Sequence, residues 1–193
     1  MERLLSALKN IPEYCSILDQ IATNNSVAVT GIGQINRSHF ISGIYTHTDR
    51  PLVLICQDDI SARRLQQELS GFLQIEPPIL PCRELTLHDS SVVSRAWEQR
   101  RLKQFYDLIS GNTKIQIFTW ESLAQRTIPL PLLKAASSTL KIGNIYDTQQ
   151  IITTLDATGY SRCSMVEGPG QYALRGGILD IFSPAYELPI RAE

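Results

Sequence analysis

The segment AVTGIGQI, residues 28–35, has the spacing closest to a catalytic motif in this chain. A phosphate-binding P-loop reads GxxxxGK[ST]: its glycines let backbone N–H groups surround the phosphates, its lysine contacts the β and γ phosphates, and its hydroxyl binds Mg²⁺. Only Gly33 fits this motif in register. Because Ala28 replaces the first glycine, Gln34 the lysine and Ile35 the hydroxyl, the groups that stabilise a transferring phosphoryl group are missing.

The residues alone leave two interpretations of this segment open. Gly31 and Gly33 can simply form a tight turn between a strand and a helix, since short glycine patterns often match by accident. Alternatively, the segment is a degenerate nucleotide-binding loop. Under both interpretations the chain has no catalytic residue here.

The histidines and cysteines show no spacing typical of a metal or catalytic site. There is no HExxH and no C-x-x-C pair, so we predict no metal ligand and expect four buried free thiols rather than disulfides. His88, Asp89 and Ser90 could imitate part of a catalytic triad, but no nucleophile elbow surrounds them. The histidines are His39, His47 and His88, and the cysteines are Cys15, Cys56, Cys82 and Cys163.

Two arginines near the C-terminus lie in segments with the alternation of β-strands. In QYALR, Tyr172 and Leu174 face one way while Ala173 and Arg175 face the other, and Arg191 similarly lies opposite the apolar residues around it. Either each arginine pairs with a nearby acid such as Glu167, Asp180 or Glu187, or both form part of a protein interface. Arginine suits an interface because its planar fork bonds carboxylates in two places.

Short apolar runs alternate with helical patterns along the chain. We predict strands at residues 26–30, 51–56, 79–80 and 114–119 with helices between them, and PLVLIC has the continuous apolar character of a strand buried on both faces. This order is typical of an open, mostly parallel sheet covered by helices.

The rest of the chain predicts a smaller domain. Pro129 and Pro131 interrupt the pattern, Asp147 is a plausible helix cap, and Gly159 is a natural helix stop. The turn signals Gly168-Pro169-Gly170 and Gly176-Gly177 then separate the strands of an antiparallel meander. We therefore predict an α/β domain at residues 1–138 and a small α+β domain at residues 139–193.

The composition favours a protein or small-molecule partner. The 18 Lys and Arg nearly balance the 19 Asp and Glu, for a formal net charge of −1, which is not the charge of a general nucleic-acid binder. The basic cluster at Arg100, Arg101 and Lys103 is expected to be a solvated or salt-bridged helix face. No signal peptide or membrane span is apparent, so we expect a cytoplasmic protein.

The residues after Glu167 resemble a known family. An aromatic strand ending in Arg-Gly-Gly, then LDIFSP and Glu-Leu-Pro-x-Arg, is similar to the UvrA-binding domain shared by the bacterial transcription-repair coupling factor (Mfd) family and the excision-repair protein UvrB. The Leu-Pro-x-Arg ending and the degenerate loop favour the coupling factors. The resemblance implies that Arg175 and Arg191 contact UvrA, and that residues 1–138 resemble the helicase-like first domain of UvrB with a non-catalytic P-loop.

This resemblance implies a protein-interaction module that recruits UvrA to RNA polymerase stalled at DNA damage, for nucleotide excision repair. It implies no cofactor for this chain, whereas the ATP- and Mg-dependent translocase, which acts on double-stranded DNA, and the contact with RNA polymerase belong to other domains of a full-length protein. We expect the small domain to be truncated at its C-terminal end, and a sheet edge left open in the first domain to pair with another copy. The alternatives are an ATP-binding module and a direct DNA-binding module of a UvrB-like repair protein.

Overall fold

The computed structural model describes residues 1–23, 26–82 and 96–193 of the chain. These residues divide into two compact units, one within Met1–Glu84 and Asp107–Gln125, the other within Leu85–Tyr106 and Arg126–Glu193. The helices are α1 (Glu2–Ala7), α2 (Pro12–Ala22), α3 (Gln34–His47), α4 (Asp59–Leu73), α5 (Ala96–Ile109), α6 (Trp120–Ala124), α7 (Leu130–Ala135) and α8 (Thr148–Ala157). The strands are β1 (Leu52–Cys56), β2 (Ile115–Thr119), β3 (Ser161–Arg162), β4 (Gln171–Arg175), β5 (Ile178–Phe182) and β6 (Ile190–Ala192).

The first unit is built on a small parallel sheet. β1 pairs with β2 from Leu52 opposite Ile115 to Cys56 opposite Thr119, and Ile79 adds a single parallel bridge to Ile117 on the other side of β2. All five residues of β2 are buried. They share a core with α4, made by Ala62, Leu69, Ile115 and Ile117, so the parallel α/β character predicted for this region is confirmed.

Helix α4 forms where its cap and its apolar spacing agree. Asp58 precedes it and its carboxylate accepts a 2.7 Å hydrogen bond from the Ser61 N–H, which satisfies one of the free donors at the helix start. Leu69 is fully buried, and Leu65 and Leu73 pack beside it on the same stripe. An aspartate just before an apolar helical stripe is a typical helix cap, and the structure confirms Asp58 in that role.

The sheet is smaller than the sequence predicted. Residues 26–30 are not a strand, because an extended segment becomes a strand only when a neighbour accepts its backbone hydrogen bonds. The prediction that β1 is buried on both faces is also wrong. Leu52, Leu54 and Cys56 pack on the core, whereas Val53 and Ile55 point to the other face and are 49% and 60% exposed.

The N-terminal helices pack against α3. Tyr14 of α2 is 2% exposed, its ring meets Phe40 edge-on at 5.5 Å between centroids, and its hydroxyl lies 2.9 Å from His47 Nδ1. A glycine, Gly43, occupies the point on α3 that faces Leu8 and Tyr14. The absence of a side chain there lets the helices approach closely.

The second unit contains α8 and a four-stranded mixed sheet ordered β3-β4-β5-β6. β4, β5 and β6 are antiparallel neighbours, as the meander predicts, while the unpredicted β3 runs parallel to β4. Ile152 of α8 packs on Tyr172 and Leu179 to form the core. Asp147 accepts a 2.9 Å bond from the Gln149 N–H, so this predicted cap is confirmed; the boundary between residues 138 and 139 stays a prediction.

Candidate partner-binding surface

The two faces of the β4–β5–β6 sheet have different roles. Tyr172, Leu174, Leu179 and Ile181 belong to the face that packs on α8. On the opposite face, the strand register places Asp180 of β5 between Ala173 of β4 and Arg191 of β6. Arg175 lies two residues after Ala173, so strand alternation puts it on this same face.

Asp180 joins the two arginines that the sequence singled out. Arg175 Nη2 donates to Asp180 Oδ2 at 2.9 Å. Arg191 donates twice, from Nε to Oδ1 at 2.7 Å and from Nη2 to Oδ2 at 3.0 Å. The second pair is bidentate, which is the geometry that fixes a guanidinium most firmly relative to a carboxylate.

The exposure of the three side chains is unequal. The Asp180 side chain is 11% exposed, whereas those of Arg175 and Arg191 are 55% and 56% exposed. Each guanidinium carries five N–H donors, and Asp180 accepts only one bond from Arg175 and two from Arg191. Most of the donors therefore remain available to acceptors outside the sheet.

The ion pairs keep this cluster charged. Hydrogen bonds from Arg191 and then from Arg175 lower the pKa of Asp180 to about 2, because they stabilise the carboxylate over the neutral acid. The hydrogen bond to Asp180 raises the pKa of Arg191 above its ordinary value. At neutral pH the cluster carries two positive charges and one negative charge, so it presents net positive charge to solvent.

Two turns bring the arginines into place. Gly176 and Gly177 form the two-residue connection between β4 and β5, with Arg175 paired to Ile178. Gly176 has a φ of +62°, a conformation that tight hairpin turns require and that glycine adopts without strain. Because the turn fixes the register of β4 and β5, it also fixes Asp180 opposite Ala173. The pairing of Asp180 with Arg191 in β6 completes the cluster.

The turn before β4 is held by side chains. The Gln171 amide oxygen accepts hydrogen bonds from the Glu167 and Gly168 N–H groups at 2.8 and 3.1 Å. Gln99 of α5 donates to the Pro169 carbonyl at 2.9 Å. Sequence patterns gave no signal for the Gln99 contact, since its partner lies 70 residues away.

Exposed apolar residues lead into β6. Tyr186, Leu188 and Ile190 are 58%, 74% and 42% exposed. Interfaces between proteins commonly combine such aromatic and aliphatic groups with arginine. Ile190 pairs with Ile181 and so lies on the α8 side of the sheet. The opposite face, here called the arginine face and defined by Arg175, Asp180 and Arg191, can bind carboxylates.

The two sequence interpretations of the arginines differ in outcome: local pairing is observed, and the interface role stays a prediction. Local pairing occurs, and its acid is Asp180 rather than Glu167 or Glu187 within the part of the chain that the structure describes. The sharing of one carboxylate was not foreseen. A signal existed, because Leu179 and Ile181 both read as core residues and alternation then sends Asp180 to the arginine side.

A helix follows the proposed nucleotide loop, but residues 26–30 before it do not form a strand. Gly33 caps α3, which begins at Gln34, and Gly31 has a φ of +82°. Ala28, Gly31, Gly33, Gln34 and Ile35 are all exposed, Ile35 to 81%. Val29, Ile32, Arg37 and Phe40 contribute to a shallow depression beside the loop. The degenerate P-loop interpretation stays a prediction.

The histidines that the structure describes have ordinary partners. His39 Nε2 lies 2.9 Å from the Leu4 carbonyl, and its ring stacks on Phe72. His47 bonds Tyr14, and burial, followed by the charge of Lys9, lowers its pKa. Burial also raises the pKa of Tyr14 to about 12. The triad-like residues His88, Asp89 and Ser90 lie outside the described residues.

The described cysteines and basic residues depart partly from expectation. The four cysteines, all among the described residues, carry thiols outside any disulfide, and they are half-buried rather than buried as predicted. Arg101 is only 4% exposed and lies 5.8 and 5.7 Å from the ring centres of Trp97 and Phe105. The prediction of a solvated face is therefore wrong for Arg101, because its flat guanidinium packs on aromatic rings. The described residues contain no cluster of potential metal ligands.

Similarity to known proteins covers the whole chain. Residues 139–193 match the family model described as UvrB interaction domain, and this range contains the arginine face. The chain is 25% identical over 195 residues to the transcription-repair-coupling factor of Bacillus subtilis, covering 100% of this chain and 17% of that protein. It is 26% identical over 188 residues to that of Myxococcus xanthus, covering 93% and 16% respectively.

A third relative agrees with these two. The transcription-repair-coupling factor of Staphylococcus aureus strain MRSA252 is 27% identical over 191 residues, which cover 98% of this chain and 16% of that protein. The chain thus matches the N-terminal region of these proteins and spans about a sixth of their length. No helix in the described ranges has the length and apolar composition needed to cross a bilayer.

Proposed function

We propose that this chain is the N-terminal region of a bacterial transcription-repair coupling factor, and that its arginine face binds UvrA. In this proposal the chain recruits UvrA to RNA polymerase stalled at DNA damage, so that nucleotide excision repair begins there. Contact with RNA polymerase, and the ATP- and Mg-driven translocation on double-stranded DNA, are proposed for parts of the protein outside these residues.

One observation carries the proposal. The range that matches the UvrB interaction domain, 139–193, contains two exposed arginines that share Asp180 on one face of its sheet. The resemblance to UvrA-binding domains had assigned UvrA contacts to these same two residues. They come from two different strands, β4 and β6, and both bond the same carboxylate, so the common site supports the assignment.

The chemistry of the arginine face specifies the kind of surface that it recognises. Free guanidinium donors bind carboxylates bidentately. Tyr186 and Leu188 are exposed in the segment just before β6 and gain from being covered by the same partner. We therefore expect an acidic patch with apolar surroundings on UvrA. Arginine anchors of this kind are frequent among the residues that dominate binding energy.

The test is a calorimetric titration of the chain and its single arginine variants with UvrA. Arg175→Ala and Arg191→Ala are each expected to lose about 2 kcal/mol or more of binding free energy, as anchors do. Arg162→Ala is the matched control, because Arg162 is an exposed arginine on β3 of the same sheet. It is expected to bind like the unmodified chain.

Circular dichroism establishes that each variant is folded before its affinity is compared. Equal affinities for Arg175→Ala, Arg191→Ala and Arg162→Ala would contradict the assignment of the arginine face. An equal loss of affinity in all three variants would indicate nonspecific charge attraction instead. Added salt would then weaken UvrA binding equally for the three variants.

A further inference from the structure

Asp180 raises a question that the proposed function does not answer. A carboxylate beside two partner-binding arginines could compete with the partner's own acids for their donors. It could equally hold the arginines ready for binding. The two roles predict opposite effects when the carboxylate is removed.

The bonding pattern favours the second role. Asp180 uses Nε and one Nη2 donor of Arg191 and a single Nη2 donor of Arg175. The guanidinium groups keep most of their donors, and both side chains remain more than half exposed. The bonds therefore fix the direction of each side chain without covering it.

Charge supports the same conclusion. Two guanidinium groups held at one site repel each other, and free arginines on a sheet surface would spread apart and sample many rotamers. Asp180 sits between them with its side chain 11% exposed, on the central strand of the antiparallel set, with its backbone paired to Ala173 and Arg191 on both sides. From this central strand its carboxylate reaches both arginines.

We propose that Asp180 is a positioning residue of the arginine face: by accepting hydrogen bonds from both arginines it fixes the two guanidinium groups side by side, so that their remaining donors meet partner carboxylates already oriented. This inference rests on the proposed function for the identity of the partner. Binding then avoids much of the entropy cost of ordering two long side chains.

The first test needs no partner. Nitrogen-15 relaxation of the arginine Nε–H groups is measured in the 193-residue chain and in Asp180→Asn. Arg175 and Arg191 are expected to be as ordered as the backbone in the unmodified chain and as mobile as Arg162 in the variant. Unchanged order in Asp180→Asn, or mobile Arg175 and Arg191 in the unmodified chain, would overturn the proposal.

The second test measures UvrA binding by Asp180→Asn. Affinity is expected to fall about tenfold, the size expected when two side chains must be ordered on binding. The double variant Asp180→Asn/Arg175→Ala is expected to lose less affinity for UvrA than the product of the two single fold-losses. The reason is that the aspartate acts through the arginines. Tighter binding by Asp180→Asn would show a competing role and overturn the proposal.

A matched control separates positioning from stability. Asp156 accepts a 2.7 Å hydrogen bond from the buried Tyr172 hydroxyl, so Asp156→Asn perturbs the core side of the same sheet without touching the arginines. Its affinity for UvrA is expected to be unchanged once the folded fraction is known. If Asp156→Asn weakens binding as much as Asp180→Asn, the effect is structural and the proposal fails. If the unmodified chain does not bind UvrA, the proposed function fails, while the relaxation measurement still decides the role of Asp180.

Discussion

Asp180 connects the charge state of one residue with the integrity of the arginine face. Its pKa is about 2 because two arginines donate hydrogen bonds to it. An aspartate of the unfolded chain titrates near 3.8. The folded state therefore binds the proton less well than the unfolded state, and this difference stabilises the fold at neutral pH.

The pH dependence follows from that sign. The stabilisation is complete above about pH 5 and is lost as the pH falls through 3.8 towards 2. We expect the unfolding midpoints of the unmodified chain and Asp180→Asn in urea to differ by a constant amount at pH 5–7. The difference should shrink below pH 4. The amide signals of Leu179 and Ile181 report the protonation of Asp180 by NMR. A difference in unfolding midpoint that does not change with pH would contradict the account.

At the residue scale the sequence predicted which face of the sheet a side chain lies on, but not which residues it contacts. Alternation in QYALR correctly separated Tyr172 from Arg175, since side chains on a strand must alternate. Alternation also sends Asp180, between Leu179 and Ile181, to the arginine side. Its contact with Arg191 depends on the register of β6, which follows an irregular connection at residues 183–189. For Arg101 a sequence signal did exist, because Trp97, Arg101 and Phe105 are spaced four residues apart on α5 and so share one helix face.

At the element scale, segments that carry their own start signal were predictable, and segments that depend on neighbours were not. Helices α4 and α8 begin at Asp58 and Asp147, whose carboxylates bond backbone N–H groups as expected. Residues 26–30 have strand composition but no strand pairing. The exposed side of β1 likewise depends on which elements pack against the strand, and the apolar residues of the strand itself do not specify this.

Close packing of α3 against the N-terminal helices provides an element-scale test. A Cβ at Gly43 would lie 2.8 Å from the Tyr14 hydroxyl and still closer to Leu8. Gly43→Ala is therefore expected to lower the free energy of unfolding by about 1–3 kcal/mol, the usual cost of overpacking. Urea unfolding followed by circular dichroism measures the change.

Gly71 of α4 is the matched control, because nothing lies within 4 Å of a Cβ built there. Gly71→Ala should raise the free energy of unfolding by about 0.5–1 kcal/mol, since alanine restricts the unfolded chain and favours the helix. A stabilised Gly43→Ala variant would show that the helices do not approach as closely as described.

At the scale of the whole molecule, the chain consists of two units with different prospects for function. The second contains the arginine face and the range that matches the UvrB interaction domain. The first contains the P-loop-like segment, which lacks the lysine and hydroxyl of a working loop. Because the chain covers only 17% of the Bacillus subtilis relative, motor activity is proposed for residues outside it.

This division predicts that the chain does not bind nucleotide. With Gln34 and Ile35 in place of lysine and a hydroxyl residue, the β and γ phosphates and Mg²⁺ lose their main ligands. Titration with a fluorescent ATP analogue and Mg²⁺ should give no saturable signal, with an intact P-loop protein as positive control. Saturable binding that competes with ATP would favour the alternative of an ATP-binding module.

The most direct test of the account is a calorimetric titration of the unmodified chain with purified UvrA, beside the folded double variant Arg175→Ala/Arg191→Ala. We predict saturable binding at a fixed stoichiometry by the unmodified chain and its loss in the double variant. Undiminished binding by the double variant would contradict the claim that the arginine face is the binding surface. No binding by the unmodified chain would contradict the claim that these residues recruit UvrA.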